Sequence, residues 1–221
     1  MDGLLVYAFG ALGLAVAAVL VLRVLVVLTG KRKSQPAGRV VGIVGKMGSG
    51  KSYLAVRLAR DRLRAGVDVY SNFLIQPPAG WKGNAHAFRG WDEFASIRDA
   101  VVIIDEAHLL APSYAHARFP QTARTALAFA RKYGLDVYWV SQNEDRVNRT
   151  LRDLTNDIAV CEKRGRRFRV TWYSAEDVRK KGEHMFRETH RFDPEIANLY
   201  DTAEIIQLDE HLEKRGRGRA S

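Results

Sequence analysis

Eight consecutive residues carry the clearest chemistry in this sequence: Gly45-Lys46-Met47-Gly48-Ser49-Gly50-Lys51-Ser52. They fit the pattern G-x-x-x-x-G-K-[ST], in which glycines let backbone N–H groups turn inward around phosphate oxygens. Lys51 is placed to reach the β- and γ-phosphates, and Ser52 to offer its hydroxyl to Mg²⁺. The implied ligands are ATP and Mg²⁺, held by the whole run from Gly45 to Ser52. A glycine-rich turn could match by chance, but the mechanism needs a strand before the loop and a helix after it. Both are present: Val40 to Val44 is a β-branched apolar run, and Tyr53 to Ala65 spaces Leu54, Leu58 and Leu63 at helical intervals among arginines.

The second element is Val101-Val102-Ile103-Ile104-Asp105-Glu106. A buried strand of this kind delivers Asp105 to its C-terminal edge beside the loop, where a carboxylate holds the Mg²⁺ shell. Glu106 can then orient or deprotonate the attacking water. An acid pair could instead cap the next helix, but with the phosphate loop present the catalytic reading is preferred. Asp105-Glu106-Ala107-His108 also spells the box of a helicase group, whose enzymes need two such domains. A chain of this length cannot hold two, so the helicase reading is set aside. Third, the strand Asp136 to Ser141 ends in Ser141-Gln142-Asn143, which makes Gln142 a candidate sensor of the γ-phosphate.

These residues need a scaffold of strands alternating with helices. Val67 to Ser71 reads as a second strand, and Gln121 to Lys132 as a helix with Pro120 in its first turn. The alternation implies a mostly parallel sheet covered on both faces. Ile158 to Glu162 and Phe168 to Tyr173 flank a basic turn centred on Gly165 and predict a hairpin. A short helix over Glu195 to Tyr200 and a last strand over Ile205 to Leu208 are expected beyond it.

The remaining segments set the context. At 221 residues the chain has room for one sizeable core plus appendages. Residues 3–29 form an apolar run interrupted only by Arg23, long enough to cross a bilayer, and Asp2 at its start speaks against a secretory signal. The basic linker over 30–38, with Lys31, Arg32 and Lys33, puts the following domain on the cytoplasmic side and the N-terminus outside. Residues 39–209 form the nucleotide-binding domain, and 210–221 a basic tail. Lys and Arg total 35 against 25 acidic residues, a formal charge of +10, which favours nucleic-acid phosphates or anionic lipid as partners. The single cysteine, Cys161, excludes an intramolecular disulfide or a cysteine metal cluster.

Taken in order, Gly45 to Tyr53, Val69-Tyr70-Ser71-Asn72, Ile104 to Ala107, Arg131-Lys132-Tyr133-Gly134-Leu135-Asp136-Val137, Ser141-Gln142 and Val147 to Thr155 resemble the zonula occludens toxin (Zot) family. These are morphogenesis ATPases of filamentous phages, within the FtsK/HerA group of ring motors. The resemblance implies a RecA/FtsK-HerA-like P-loop NTPase fold, a homo-oligomeric ring, DNA as cargo, and phage capsid or assembly proteins as partners. It implies Lys51 and Glu106 in catalysis, Asp105 with Ser52 at Mg²⁺, and Gln142 as sensor. Arg131 falls where pumping and packaging members carry an arginine that enters the neighbouring subunit's site. The chain departs from the family's usual order, in which the ATPase precedes the membrane helix and an external domain follows. With its apolar segment first, it is also similar to the short genome-packaging ATPases of membrane-containing icosahedral phages. The expectation is a membrane-anchored, additional-strand P-loop ATPase that moves phage-type DNA during virion assembly. The alternative class is a membrane adaptor switched by nucleotide, against which the intact Glu106 argues.

Overall fold

The computed structural model describes residues 37–115, 119–165, 167–180 and 182–205. The expected first strand is β1 (Val40–Val44), followed by the loop and by α1 (Lys51–Ala65). Next come β2 (Asp68–Ser71), β3 (Phe73–Ile75), β4 (Ala85–Ala87), α2 (Trp91–Phe94) and β5 (Ala100–Ile104). The chain continues through α3 (Ala107–Leu110), α4 (Gln121–Ala128), β6 (Leu135–Ser141) and α5 (Arg149–Asp153). It ends with β7 (Asp157–Arg164), β8 (Arg167–Ser174), α6 (Ala175–Lys180), β9 (Phe186–Arg191), α7 (Pro194–Ala197) and β10 (Tyr200–Ile205).

Eight strands form one sheet in the order β4-β2-β5-β6-β1-β7-β8-β9. Pairing is parallel from β4 to β7 and antiparallel through β8 and β9. β6 lies between β1, which leads into the loop, and β5, which leads into the acid pair, so an additional strand separates those two tips. Side chains alternate between two cores, because successive residues of a strand point to opposite faces. Val41, Ile43, Ile103 and Val140 pack on α1, while Val102, Ile104, Val137 and Trp139 pack with Ala123, Ala126 and Leu127 of α4. Central strands buried on both sides read as the continuous apolar runs that the sequence shows. Trp139 is fully buried, and its Nε1–H donates to Thr155 Oγ1 at 2.9 Å, so its one polar group is satisfied.

Two expected helices need correction. The helix from Gln121 stops at Ala128 rather than Lys132, with Pro120 as its N-cap residue rather than in its first turn. Residues 129–134 form tight turns that feed β6, with the Leu135 N–H donating to the Ala130 carbonyl at 2.9 Å. The helix near the end is Pro194–Ala197, started by Asp193, whose side chain accepts from the Glu195 N–H. The last described strand is Tyr200–Ile205, which pairs antiparallel with β3 in a small second sheet; the expected strand over Ile205 to Leu208 lies, past Ile205, outside the described residues. Among the described residues no helix is long and apolar enough to cross a membrane. The expected membrane segment (3–29), most of the linker and the basic tail lie outside those residues.

Candidate functional site

After Val44 the chain turns through Gly45, Gly48 and Gly50, with φ of 152°, 70° and 90°, a region that side chains disfavour. Gly50 is needed twice, since a Cβ there would also lie 2.4 Å from the Phe168 ring. It is the N-cap residue of α1, whose start has no side-chain cap and no acidic residue in its first turn. The free N–H groups and partial positive charge of a 15-residue helix are thus left for an anion. Lys51 is 8% exposed, and its ammonium donates to the Lys46 carbonyl at 3.2 Å. Among the described residues no carboxylate pairs with it. A buried cation without a counter-ion is costly, and a phosphate at the loop removes that cost. Ser49 Oγ is likewise buried without a partner.

The acid pair meets this loop directly. Ser52 Oγ donates to Asp105 Oδ2 at 2.7 Å. Asp105 is held by Asn72, 3% exposed and just past β2. The Asn72 amide accepts from the Asp105 N–H at 2.7 Å and donates to the Asp105 carbonyl at 2.8 Å. Glu106 has φ 46°, a left-handed backbone that costs a non-glycine residue roughly 1–3 kcal/mol and persists where the surroundings enforce it. Its N–H donates to Asp105 Oδ1 at 2.8 Å, and its carboxylate lies 3.2 Å from His108 Nδ1. Two hard oxygens, Ser52 Oγ and Asp105 Oδ2, suit Mg²⁺, which takes few protein ligands and completes its shell with phosphate and water. Among the described residues no group of three or more His, Cys, Asp or Glu is placed to hold a metal. Tyr200 also borders the loop. Burial, with Asp105 and Tyr53 nearby, pushes its phenol up to about 12.

Gln142, half-buried, follows β6 directly. Val44 is paired with Ser141 and Ile104 with Trp139, so Gln142 stands at the sheet edge between the loop and the acid pair. Arg131 is not part of this group. It is exposed in the turns before β6, and its Cα lies against Gly38, which precedes β1 at the opposite edge. Asn72, His108 and Tyr200 had no role read for them in the sequence. Asn72 left a signal, a polar residue ending an apolar strand, whereas Tyr200 arrives only through the β10–β3 pairing.

The antiparallel edge carries a second feature. Register places Arg164, Arg167 and Arg191 in one row across β7, β8 and β9. Arg169 and Arg187 lie one and two rows along, on the same face, because directly opposed residues share a face. All but the half-buried Arg169 are exposed. Glu162, 3.7 Å from Arg164, and Thr189 complete the second row.

Fold and site together define a P-loop NTPase in which an additional strand separates the phosphate loop from the acid pair. The zonular occludens toxin (Zot) family model matches residues 82–205, more than half of the chain, and the chain belongs to that family. The match begins after Ser52, so the loop is established by its own sequence and geometry. The N-terminal domain of zonular occludens toxin from Neisseria meningitidis is 16% identical, with a TM-score of 0.57 over 74% of this chain and 98% of that one. A DnaB-like replicative helicase is 14% identical, TM-score 0.50, over 72% and 56%. The genome packaging NTPase B204 from Sulfolobus turreted icosahedral virus 2 is 14% identical, TM-score 0.48, over 70% and 98%. At these identities the first two likenesses establish the fold. No curated protein matches the chain.

Proposed function

We propose that this chain is an ATP hydrolase that moves DNA during phage assembly, either packaging a genome or exporting a filamentous particle. The observation that carries the hydrolase reading is the Ser52–Asp105 hydrogen bond at 2.7 Å, which joins the phosphate loop to the acid pair. The loop N–H groups and Lys51 bind the phosphates. Ser52 and Asp105 would hold Mg²⁺, which would supply neutralisation of phosphate charge. Glu106 orients a water and takes its proton as the water oxygen attacks the γ-phosphorus and the bond to the ADP oxygen breaks. Gln142 stands where loss of the γ-phosphate would be felt. Phosphate release from ATP by the full-length chain, with no acceptor added, tests the reading, and its absence with and without DNA would refute it.

DNA is the cargo that membership in the family supports, and the arginine row on β7, β8 and β9 is its contact on this chain, binding phosphates without reading bases. The working form is a homo-oligomeric ring in which Arg131 enters the neighbour's site and stabilises charge as phosphoryl transfer proceeds. Residues 3–29 anchor the ring in a membrane, with the N-terminus outside and the ATPase domain cytoplasmic, where capsid or assembly proteins meet it. Pelleting with membranes and resistance to carbonate extraction test the anchor, and protease added to intact cells tests the orientation.

A further inference from the structure

The cleft that starts at the phosphate loop does not end there. It is bordered by Gly48, Gly50, Lys51, Ser52 and Tyr53, and continues to Lys163, Phe168, Phe192 and Tyr200, about 290 Å³ in all. Its far end is aromatic. The Tyr53 ring stacks on Phe168 with centroids 4.9 Å apart and on Phe192 at 5.7 Å, with interplanar angles of 22° and 21°. Phe168 is buried under this group, but Phe192 leaves half of its surface open.

That ring is also held in place. The Tyr53 hydroxyl accepts from the Asp193 N–H at 2.9 Å and donates to the Arg191 carbonyl at 3.4 Å, gripping the chain on both sides of Phe192. Arg60 pairs with Asp193 at 3.3 Å, and Arg64 pairs with Glu195, so α1 ties the whole segment down. A half-exposed phenylalanine fixed by four polar contacts is a prepared surface, since ordering it has already been accomplished before anything binds.

We infer that Phe192, backed by Tyr53 and Phe168, is the stacking surface for the nucleobase, with Lys163 beside it. The inference rests on the phosphate-loop reading above. A triphosphate gripped by that loop leaves its α-phosphate at the first turn of α1, where Tyr53 immediately follows Ser52. Ribose and base must then continue along the cleft, and Phe192 is the open apolar face they meet. A flat heteroaromatic ring satisfies that face through offset stacking, whereas water does not.

The test compares ATP with inorganic tripolyphosphate, which occupies the loop but has no base. Calorimetry on the full-length chain should show Phe192→Ala weakening ATP about ten-fold, the scale of one base–aromatic stack. Tripolyphosphate affinity should stay within about two-fold of the parent, and Phe192→Trp should restore ATP. Unchanged ATP affinity in Phe192→Ala, or an equal loss for both ligands, overturns the inference while the phosphate-loop reading stands. A parent chain that binds neither ligand overturns both. If Phe192→Ala changes the oligomeric state and leaves ATP affinity intact, the ring is a subunit contact and the inference fails.

Discussion

Ser52 and Asp105 lie 53 positions apart in the chain, and their side chains meet at 2.7 Å. This contact ties the start of α1 to the tip of β5, so the two halves of the site are set relative to each other before nucleotide arrives. Lys51→Ala should therefore lower ATP turnover by at least about 100-fold and weaken binding, because the variant lacks the cation aimed at the β- and γ-phosphates. Glu106→Gln should bind ATP normally and hydrolyse it about 10²–10⁴-fold more slowly, as expected for a lost general base. Single-turnover phosphate release with parallel binding measurements separates the two, and parent-like turnover in either variant would refute its assigned role.

Asn72 makes two hydrogen bonds to the backbone of Asp105 and is nearly inaccessible to solvent. Removing it strands a buried N–H and a carbonyl, at about 1–3 kcal/mol for each group left unmade. Asn72→Ala should lower the melting temperature and also reduce kcat, with ATP affinity less affected, since the loop itself is untouched. A loss of stability with unaltered kcat in the remaining folded fraction would make Asn72 a purely structural residue.

Arg131 sits on exposed turns beside Gly38, at the edge of the sheet where β1 begins, whereas the loop follows the end of β1. The length of that strand alone is roughly 15 Å, too far for the side chain to reach its own subunit's γ-phosphate. Arg131→Ala subunits should bind ATP and hydrolyse little. Mixed with Lys51→Ala subunits, they should recover turnover at interfaces that pair an intact loop with an intact arginine. Absence of recovery in confirmed mixed oligomers assigns the role elsewhere. The next candidates are then Arg124, exposed on α4, and Arg118, which lies outside the described residues.

Binding to DNA by the arginine row should be steeply salt-dependent and indifferent to sequence. Arg167→Ala and Arg191→Ala should each reduce the slope of log affinity against log salt by about one, equally on unrelated sequences. Fluorescence anisotropy at four or more salt concentrations measures this. Unchanged slopes would move the DNA path to another surface.

Cys161, the sole cysteine, is buried, and burial pushes its thiol up to about 12 from an ordinary 9.0. A thiol whose folded pKa is raised stabilises the fold fully below about 9, and that contribution is lost as pH climbs toward 12. Melting temperature should fall across this alkaline window, less steeply in Cys161→Ala. Native protein at pH 8 should resist thiol reagents until it unfolds, and saturating ATP should slow labelling further. Rapid labelling of native protein would show that the loop region opens far more readily than its packing indicates.

The sequence alone determined the phosphate loop, the acid pair, the strand ending at Ser141 and the hairpin, because each is written in consecutive residues. Gly45 to Ser52 needs no partner to be recognised, and Val101 to Ile104 or Val137 to Val140 read as buried strand segments from apolar content alone. Other features required the tertiary structure, since they depend on pairing between distant segments. β9 reads Phe-Arg-Glu-Thr-His-Arg, with no apolar period, and is a strand only because β8 offers it an edge. Its pairing is what lines up Arg167 with Arg191 and brings Phe192 to Tyr53. The grip of Asn72 on Asp105 depends in the same way on β2 lying beside β5. Local composition specifies what a segment can be, but only the strand order decides which side chains share a site, and that order is settled by the burial of the whole sheet at once.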